Sequence, residues 1–416
     1  MSSKLRSPGT LLVGWAALWL PSAALAQAQD SRGLSDGLFL QPHVQVDAVH
    51  DSNFFFGSQP IEEHYLRFSP ALHAGYRNPR VQFTIGAMLA AELFTNRPQL
   101  TQLARKQVTA NFGYALSRRM QVSFGSSYAE SVYPSEFDEA TGIELGRRPA
   151  SDINGFADWS WQPTRRQRLS LRYGLGRADL EGLFGSASGR SSHWVSSAWS
   201  FGFSARTAFQ LNYNFRWFAG DVFDPVVDVA AKTDTRSHAL AVGLTQQLGR
   251  KTSVSFNAGP RLTRTTTGQE FDLSLGERLA ADVGVSFQHD WQRGLFSVRY
   301  SRQQNPAFNI AGFATTNSID LGLHYQPHRR IGISISPGVF RNEQVGLTMD
   351  SYRAQLGLNV DLAKWLQATT AYNYVAQERT AFPVPGIVAD LADLGGRSIR
   401  NLWTISLTVG KPIPLR

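Results

Sequence analysis

The chain has 416 residues, no cysteine, 12% aromatic and 18% charged residues, and a formal net charge of +9. Without cysteine there are no disulfides, thiol nucleophiles or cysteine-ligated metal centres, which suits an exported protein. The positive charge is modest and divided among many short segments, which argues against a nucleic-acid-binding protein. No phosphate loop or dinucleotide fingerprint is present, so we expect no cofactor.

The N-terminus has the features of a secretory signal. Lys4 and Arg6 precede the apolar run 11–20, and an Ala-Leu-Ala triplet follows it. This pattern predicts a cleaved signal peptide at residues 1–26, followed by a short tether at 27–37. No later stretch approaches the roughly 20 apolar residues that a membrane helix needs, so any crossing of a membrane must use strands.

The rest of the chain alternates between apolar and polar residues. From Phe209 to Trp217 every odd position is bulky and apolar and every even one is polar. The same period of two recurs in 81–93 and 279–287. A period of two predicts β-strands with two unlike faces, one for lipid and one for a wet interior.

Strands can cross lipid only as a closed barrel, because lipid offers no partners for free backbone groups. We therefore predict an all-β protein, a transmembrane antiparallel up-and-down β-barrel of about 18 strands (16–18) at residues 38–410, with a tail at 411–416. The strands are expected near 38–49, 64–76, 80–94, 107–117, 120–131, 151–161, 168–178, 192–203, 207–218, 236–248, 251–264, 278–288, 294–303, 316–326, 331–341, 351–362, 366–377 and 398–410.

The connections between these strands alternate in length and charge. Short connections hold pairs of basic residues such as Arg118 and Arg119, whereas long ones hold acids such as Glu136 and Glu144. This alternation predicts short periplasmic turns and long extracellular loops in the outer membrane of a Gram-negative bacterium. Aromatic residues near the predicted strand ends indicate interfacial girdles. They are Tyr76, Trp161, Trp291, Tyr325 and Trp365 beside the short turns, and Tyr128, Tyr133, Trp217, Tyr300 and Tyr374 toward the long loops.

Two stretches carry a resemblance to a known family. The end of the first predicted strand, with Asp51, Asn53 and Phe54, is similar to a signature in the first hairpin of EpsL-type outer-membrane barrels of exopolysaccharide biosynthesis, which are associated with exosortase systems. The stretch 322–331 resembles the strand, Pro-x-Arg turn, strand units of the same barrels. The resemblance implies a role in polysaccharide export, with partners in the periplasm and inner membrane.

The alternation also predicts which side chains face the lumen. If bulky residues face lipid, one aromatic residue and a set of arginines point inward as candidate substrate contacts: Trp194, Arg67, Arg172, Arg216, Arg299 and Arg353. A channel lined with guanidinium groups favours anions. The alternative is that these arginines pair with inward acids on neighbouring strands and only hold the wall together. Trp194 has a similar alternative, a packing role.

Together, these patterns and the resemblance predict a channel that passes a secreted exopolysaccharide to the cell surface. Its expected partners are outer-membrane lipid and the polysaccharide. A general diffusion porin for small solutes is the second reading. An enzyme or adhesin acting through its extracellular loops is the third. We expect that the protein is not an enzyme. Ser192 and His193 lie near a loop with Asp179 and Glu181, but these residues form no catalytic sequence motif. The histidines are scattered without ligand spacing, so we also expect no metal site.

Trp194→Ala and Arg216→Ala test the predicted lumen contacts. Each change should reduce polymer export or single-channel anion preference, because it removes a ring or a cation from the channel wall. Secreted polymer and the reversal potential in planar bilayers measure the two effects. Unchanged values for both variants remove these residues from the channel's contact surface.

Overall fold

The computed structural model describes residues 37–137, 139–181, 187–224, 229–267, 277–306, 313–344, 347–381, 396–410 and 413–415. The predicted signal peptide and nearly all of the predicted tether lie outside these residues. No helix in the described ranges is long and apolar enough to span a membrane. The helical segments are short 3-10 turns at Pro98–Leu100, Pro134–Phe137 and Glu139–Thr141.

Eighteen long strands follow one another along the described chain, in the order predicted from the alternation. They are β1 (Gly37–Asp51), β2 (Glu63–Arg77), β3 (Val81–Phe94), β4 (Gln102–Ser117), β5 (Met120–Ser131), β6 (Ala150–Thr164), β7 (Gln167–Glu181), β8 (Ala187–Gly202), β9 (Thr207–Asp224), β10 (Val229–Gln247), β11 (Thr252–Thr267), β12 (Glu277–Trp291), β13 (Gly294–Pro306), β14 (Phe313–His328), β15 (Ile331–Gln344), β16 (Leu347–Ala363), β17 (Leu366–Ala381) and β18 (Gly396–Gly410). A short strand, β19 (Ile413–Leu415), follows within the predicted tail.

The sheet closes on itself. Each strand pairs antiparallel with the next, and β1 pairs with β18 from His43 opposite Gly410 to Asp51 opposite Leu402. The short strand β19 continues this seam, with Leu38 opposite Leu415. Closure gives each of the eighteen long strands a hydrogen-bonded neighbour on both sides, which satisfies their backbone groups within lipid. The predicted up-and-down barrel of 18 strands is confirmed.

The outer face of the barrel exposes large apolar side chains that a soluble protein would bury. On β2, Leu66 and Phe68 are 51% and 45% exposed, whereas Arg67 and Ser69 alternate with them and face inward. The other strands show the same alternation, and their outward positions expose leucine, isoleucine, valine and phenylalanine side chains. A closed barrel with such a belt is an outer-membrane protein.

The two ends of the barrel differ as the sequence predicts. At one end the connections have two to four residues, and the first and last long strands also reach that end. Exposed aromatic rings mark this end on the outer face at Tyr76, Trp161, Tyr325 and Trp365. Tyr133 is a correction to the predicted girdles, because it lies inside the barrel, hydrogen-bonded to the buried Glu92. We call the end with short turns periplasmic and the other extracellular.

Leu356→Arg tests the orientation of the wall. Leu356 is exposed on the outer face of β16, and an arginine there should destabilise the inserted barrel by about 2–4 kcal/mol at the bilayer midplane. The adjacent Gln355 faces the lumen and is also exposed, so Gln355→Arg is the matched control and should be nearly neutral. Reversible unfolding in lipid vesicles measures both. Equal destabilisation by the two variants would contradict the assigned faces.

Candidate functional site: a loop across the lumen

The longest described connection folds into the barrel. We call the connection between β5 and β6, of which the structure describes residues 132–137 and 139–149, the inward loop. Ile143 and Leu145 of this loop share one buried apolar cluster with Leu180 of β7 and Met349 of β16. Strands β7 and β16 lie on opposite sides of the 18-strand wall. The inward loop therefore crosses the lumen at its extracellular end.

Local sequence lets the backbone of the inward loop make this crossing. Gly142 has a φ of +66°, a left-handed conformation that favours glycine. A Cβ at this position would lie 2.3 Å from the ring of Phe340 on β15, so the loop backbone packs directly on that ring. Gly146 packs in the same way on the backbone of Phe55 in the first extracellular loop. A Cβ at Gly146 would lie 2.6 Å from the carbonyl oxygen of Phe55.

The first anchor of the loop is a charged cluster around Glu92. This β3 carboxylate is fully buried. Arg67 Nη2 of β2 donates to Glu92 Oε1 at 2.8 Å, and Arg147 of the inward loop forms an ion pair with Oε2. The Tyr133 hydroxyl also donates to Glu92 Oε1 at 2.7 Å. Burial raises the pKa of the Tyr133 phenol well above its usual value, so this group stays a neutral donor.

Arg147 is also held by aromatic rings. Its guanidinium carbon lies 4.4 Å from the ring centroid of Phe54 and 4.8 Å from that of Tyr133. Phe54 packs in turn with Tyr65 and Phe94 in a buried cluster. A guanidinium stacked on rings and paired with a carboxylate is fixed in both position and orientation. Arg147 therefore fastens the end of the loop next to β6 to the wall formed by β2 and β3.

The second anchor is Arg400 of β18. Its Nε lies 3.0 Å from each oxygen of Asp51 at the end of β1, and its Nη1 donates to Glu144 Oε1 of the inward loop at 3.0 Å. Asp51 is fully buried. The Glu144 backbone N–H also donates to Gln377 Oε1 of β17 at 2.8 Å. This anchor joins the middle of the loop to the seam where the barrel closes.

Further bonds extend the loop's contact with the wall. Asn342 Nδ2 of β15 donates to the Thr141 carbonyl at 2.8 Å. Arg353 Nη2 of β16 donates to the Ile143 carbonyl at 3.5 Å. At the other end of the loop, Glu136 pairs with Arg105 of β4 at 3.0 Å. Burial raises the pKa of the Glu136 carboxyl above its usual value, while Arg105 acts in the opposite direction.

The three family-like residues all belong to this region. Asp51 binds Arg400, and Phe54 supports Arg147, as described above. Asn53 is buried, and its side-chain amide donates to the carbonyls of Gly57 at 2.8 Å and Ile399 at 3.0 Å. These residues shape the first extracellular loop and hold it against β18. They have structural roles at the barrel seam, next to the inward loop.

The arginines that were predicted to line the lumen do point inward. Four of them fall into two groups, and Arg216 is described below. Arg67 and Arg353 contribute to the anchors of the inward loop. Arg172 of β7 instead donates from Nε to Asp158 Oδ2 at 2.7 Å. Arg299 of β13 lies opposite Asp320 in the strand register. This pairing with neighbouring acids is what the wall-holding alternative expects, and contact with a solute stays a prediction.

Trp194 and Arg216 lie beside each other on β8 and β9. They occupy opposite positions in the strand register, and both are half-buried. The indole of Trp194 covers Gly174 on β7, where a Cβ would lie 2.1 Å from the ring. This glycine is needed for the ring to lie flat on the wall. The packing role considered for Trp194 therefore has a direct structural basis.

The inward-facing side chains differ in burial between the two ends of the barrel. Toward the extracellular end, Thr235, Thr263 and Thr316 are buried. Toward the periplasmic end, Gln121 and Gln367 are exposed to the lumen. Inward-facing side chains are thus more closely packed toward the extracellular end than toward the periplasmic end. The inward loop lies at the closely packed end.

Sequence reasoning missed the main residues of this network and misplaced others. Glu136 and Glu144 lie in a long extracellular connection, as predicted, but this connection folds inward and both acids pair with arginines of the wall. The available signal was the pair of apolar residues flanking Glu144, which a solvated loop has no reason to carry. The network residues that the sequence did not single out as candidate contacts include Glu92, Arg147 and Arg400. Tyr133 was predicted only as a girdle residue.

The one serine and histidine pair considered for catalysis does not converge. Ser192 and His193 are consecutive residues of β8, so their side chains lie on opposite faces of the wall. The Ser192 hydroxyl donates to the Gly176 carbonyl at 3.5 Å, and His193 Nδ1 lies 2.8 Å from the Tyr173 hydroxyl. This pair cannot form a nucleophile and base.

No protein-family model matches the chain, and no curated protein matches it in sequence. Solved structures share its fold. The FrpB iron transporter of Neisseria meningitidis matches with a TM-score of 0.51 and 9% identity, over 91% of this chain and 70% of that one. OccK2 (OpdF) of Pseudomonas aeruginosa has a TM-score of 0.48 and 11% identity, over 90% and 99%. The ferric-catecholate import receptor Fiu of E. coli has a TM-score of 0.48 and 8% identity, over 91% of this chain and 82% of that one.

The expectation of exopolysaccharide export is wrong. FrpB, the one of these three structures with a TM-score above 0.5, is described as an iron transporter and not as a polysaccharide exporter. The structure gives a physical reason, because a loop fastened at several points crosses the path that a polymer would take. The resemblance to EpsL-type barrels stays a prediction.

Proposed function

We propose that this protein is an outer-membrane channel for the passive diffusion of small solutes, narrowed by its inward loop. The observation that supports the proposal is the bridge that Ile143 and Leu145 make between β7 and β16. A barrel of this size without such a bridge leaves a wide aqueous channel. A loop fixed across it reduces the opening to the space beside the loop and sets an upper limit on solute size.

The fixed position of the loop depends on its ion pairs. Glu92 and Asp51 are fully buried and would be costly without partners, so Arg147 and Arg400 hold the loop in one place. A narrow opening with fixed walls discriminates by size and charge without an energy source. In this proposal the channel carries out no chemistry, and Trp194 and Arg216 contact solutes that pass beside the loop.

Liposome swelling tests the proposed function. Vesicles that contain the purified barrel should admit monosaccharides faster than disaccharides, and disaccharides faster than trisaccharides, because the opening beside the loop excludes larger molecules. Protein-free vesicles are the control. Deleting residues 139–146 should remove much of this size dependence while the barrel still inserts. Vesicles with inserted, folded barrel that admit none of these sugars would overturn the proposal.

Arg400→Ala tests whether the seam anchor holds the loop. The change leaves the buried Asp51 without its cation and Glu144 with only the more distant Arg353. Removing one partner of a buried ion pair typically costs about 3–5 kcal/mol, so the loop should move away from the wall. Single-channel recording should show a larger and noisier conductance. Arg397→Ala is the matched control, because Arg397 lies on the same strand but is exposed. Identical traces for both variants and the wild type would contradict the assigned role of Arg400.

A further inference from the structure

Two histidines and a glutamate converge at the extracellular rim, on the outer face of the barrel. His50 lies near the end of β1, His64 is the second residue of β2, and the two are opposite each other in the strand register. Glu62 comes from the loop that joins these strands. Their potential ligand atoms all lie within 4.8 Å of one another. None of the three belongs to the anchors of the inward loop.

The distances in this cluster are close to those of a metal site. Glu62 Oε1 lies 3.6 Å from His50 Nδ1 and 3.2 Å from His64 Nε2. Ligands held at about 2.0–2.1 Å from a tetrahedral zinc ion are roughly 3.3 Å apart. The two imidazole rings already face each other, with centroids 4.6 Å apart and planes 27° from parallel. His64 Nε2 is hydrogen-bonded to Glu62 Oε1, and both side chains are exposed and free to turn toward an ion.

The hydrogen bonding of His50 points to a missing ligand. Its Nδ1 is buried and has no hydrogen-bond partner among the described residues. Buried polar atoms are normally paired, and each exception needs a reason. Glu62 Oε1 is too far from this atom for a good hydrogen bond but is placed to share a cation with it. Glu62 and His64 are themselves exposed, so an ion reaches the cluster directly from solvent.

Other histidines on the outer face have a different arrangement. His193 Nδ1 lies 2.8 Å from the hydroxyl of Tyr173, and His238 Nδ1 lies 3.0 Å from that of Tyr213. These rings are satisfied by neutral hydroxyl groups. The cluster at the first hairpin pairs two imidazoles with a carboxylate instead, which is a ligand set that suits zinc.

We propose that His50, Glu62 and His64 bind a divalent cation of the zinc class, with the fourth position left to water or an external ligand. A bound ion fastens the two ends of loop 52–62 to each other. The same loop carries Asn53 and Phe54, whose side chains hold the seam and Arg147. Metal binding on the outside of the barrel thereby stabilises the support of the inward loop on the inside.

Calorimetric titration of the full barrel with zinc chloride tests this site. The protein is purified in detergent without a polyhistidine tag, and its fold is checked by the shift in gel mobility on heating. We expect one zinc ion per chain for the wild type. His50→Ala and His64→Ala should lose this binding, and Glu62→Gln should weaken it. His193→Ala is the matched control and should bind as the wild type does.

Cobalt spectroscopy and thermal unfolding add readouts that a nonspecific surface ion would not give. Co²⁺ added to the wild type should show the visible bands of a nitrogen- and oxygen-ligated ion, and these should be absent from folded His50→Ala. Zinc should raise the unfolding temperature of the wild type and of His193→Ala but not of His64→Ala. Zinc binding that is absent from the wild type, or unchanged in both His50→Ala and His64→Ala, would overturn the proposal.

Discussion

The guanidinium of Arg400 joins three distant parts of the chain. It pairs with Asp51 of β1, belongs itself to β18, and reaches Glu144 of the inward loop. The same side chain therefore supports the closure of the barrel and the position of the loop. Asp51 is fully buried, so the pair is strong only while all partners are present.

The interior of the barrel has a different physical basis from its exterior. Outside, apolar side chains face lipid, and any aliphatic residue of suitable size serves there. Inside, Glu92, Arg67 and Arg147 are held by directed bonds that depend on the identity of each partner. Substitutions on the two faces thus act in separate ways. On the lipid face they change the stability of the inserted barrel, and on the inner face they change the position of the loop.

The first hairpin connects the two surfaces. On the outer face it carries the His50, Glu62 and His64 cluster, and on the inner side it carries Phe54 beneath Arg147. The strand period explains this division, because consecutive residues of β1 point to opposite faces. A ligand bound outside the barrel and the loop inside it therefore share one short segment of chain. Coupling between them requires no long path through the wall.

The alternation of the sequence by itself determined the strands, their number and their order, the closed barrel, and which face meets lipid. It did so because every strand obeys the same local period, and because lipid permits only one way to satisfy the backbone. The observed strands extend mainly at the extracellular end, for example β9 to Asp224, where the periodic signal weakens. The inward direction of Arg67, Arg172 and Arg353 also followed from the alternation alone, because successive residues of a strand point to opposite faces.

Only the tertiary structure decided how the lumen is filled. The bond from Glu144 to Gln377 joins residues that are 233 positions apart, and the bonds from Arg400 to Asp51 span 349 positions. His50 and His64 are brought together by the register of one hairpin, without the ligand spacing of a zinc motif. No local pattern encodes such pairs, because side chains far apart in sequence meet only after the wall closes. For that reason the sequence predicted a barrel but not the loop that crosses its lumen.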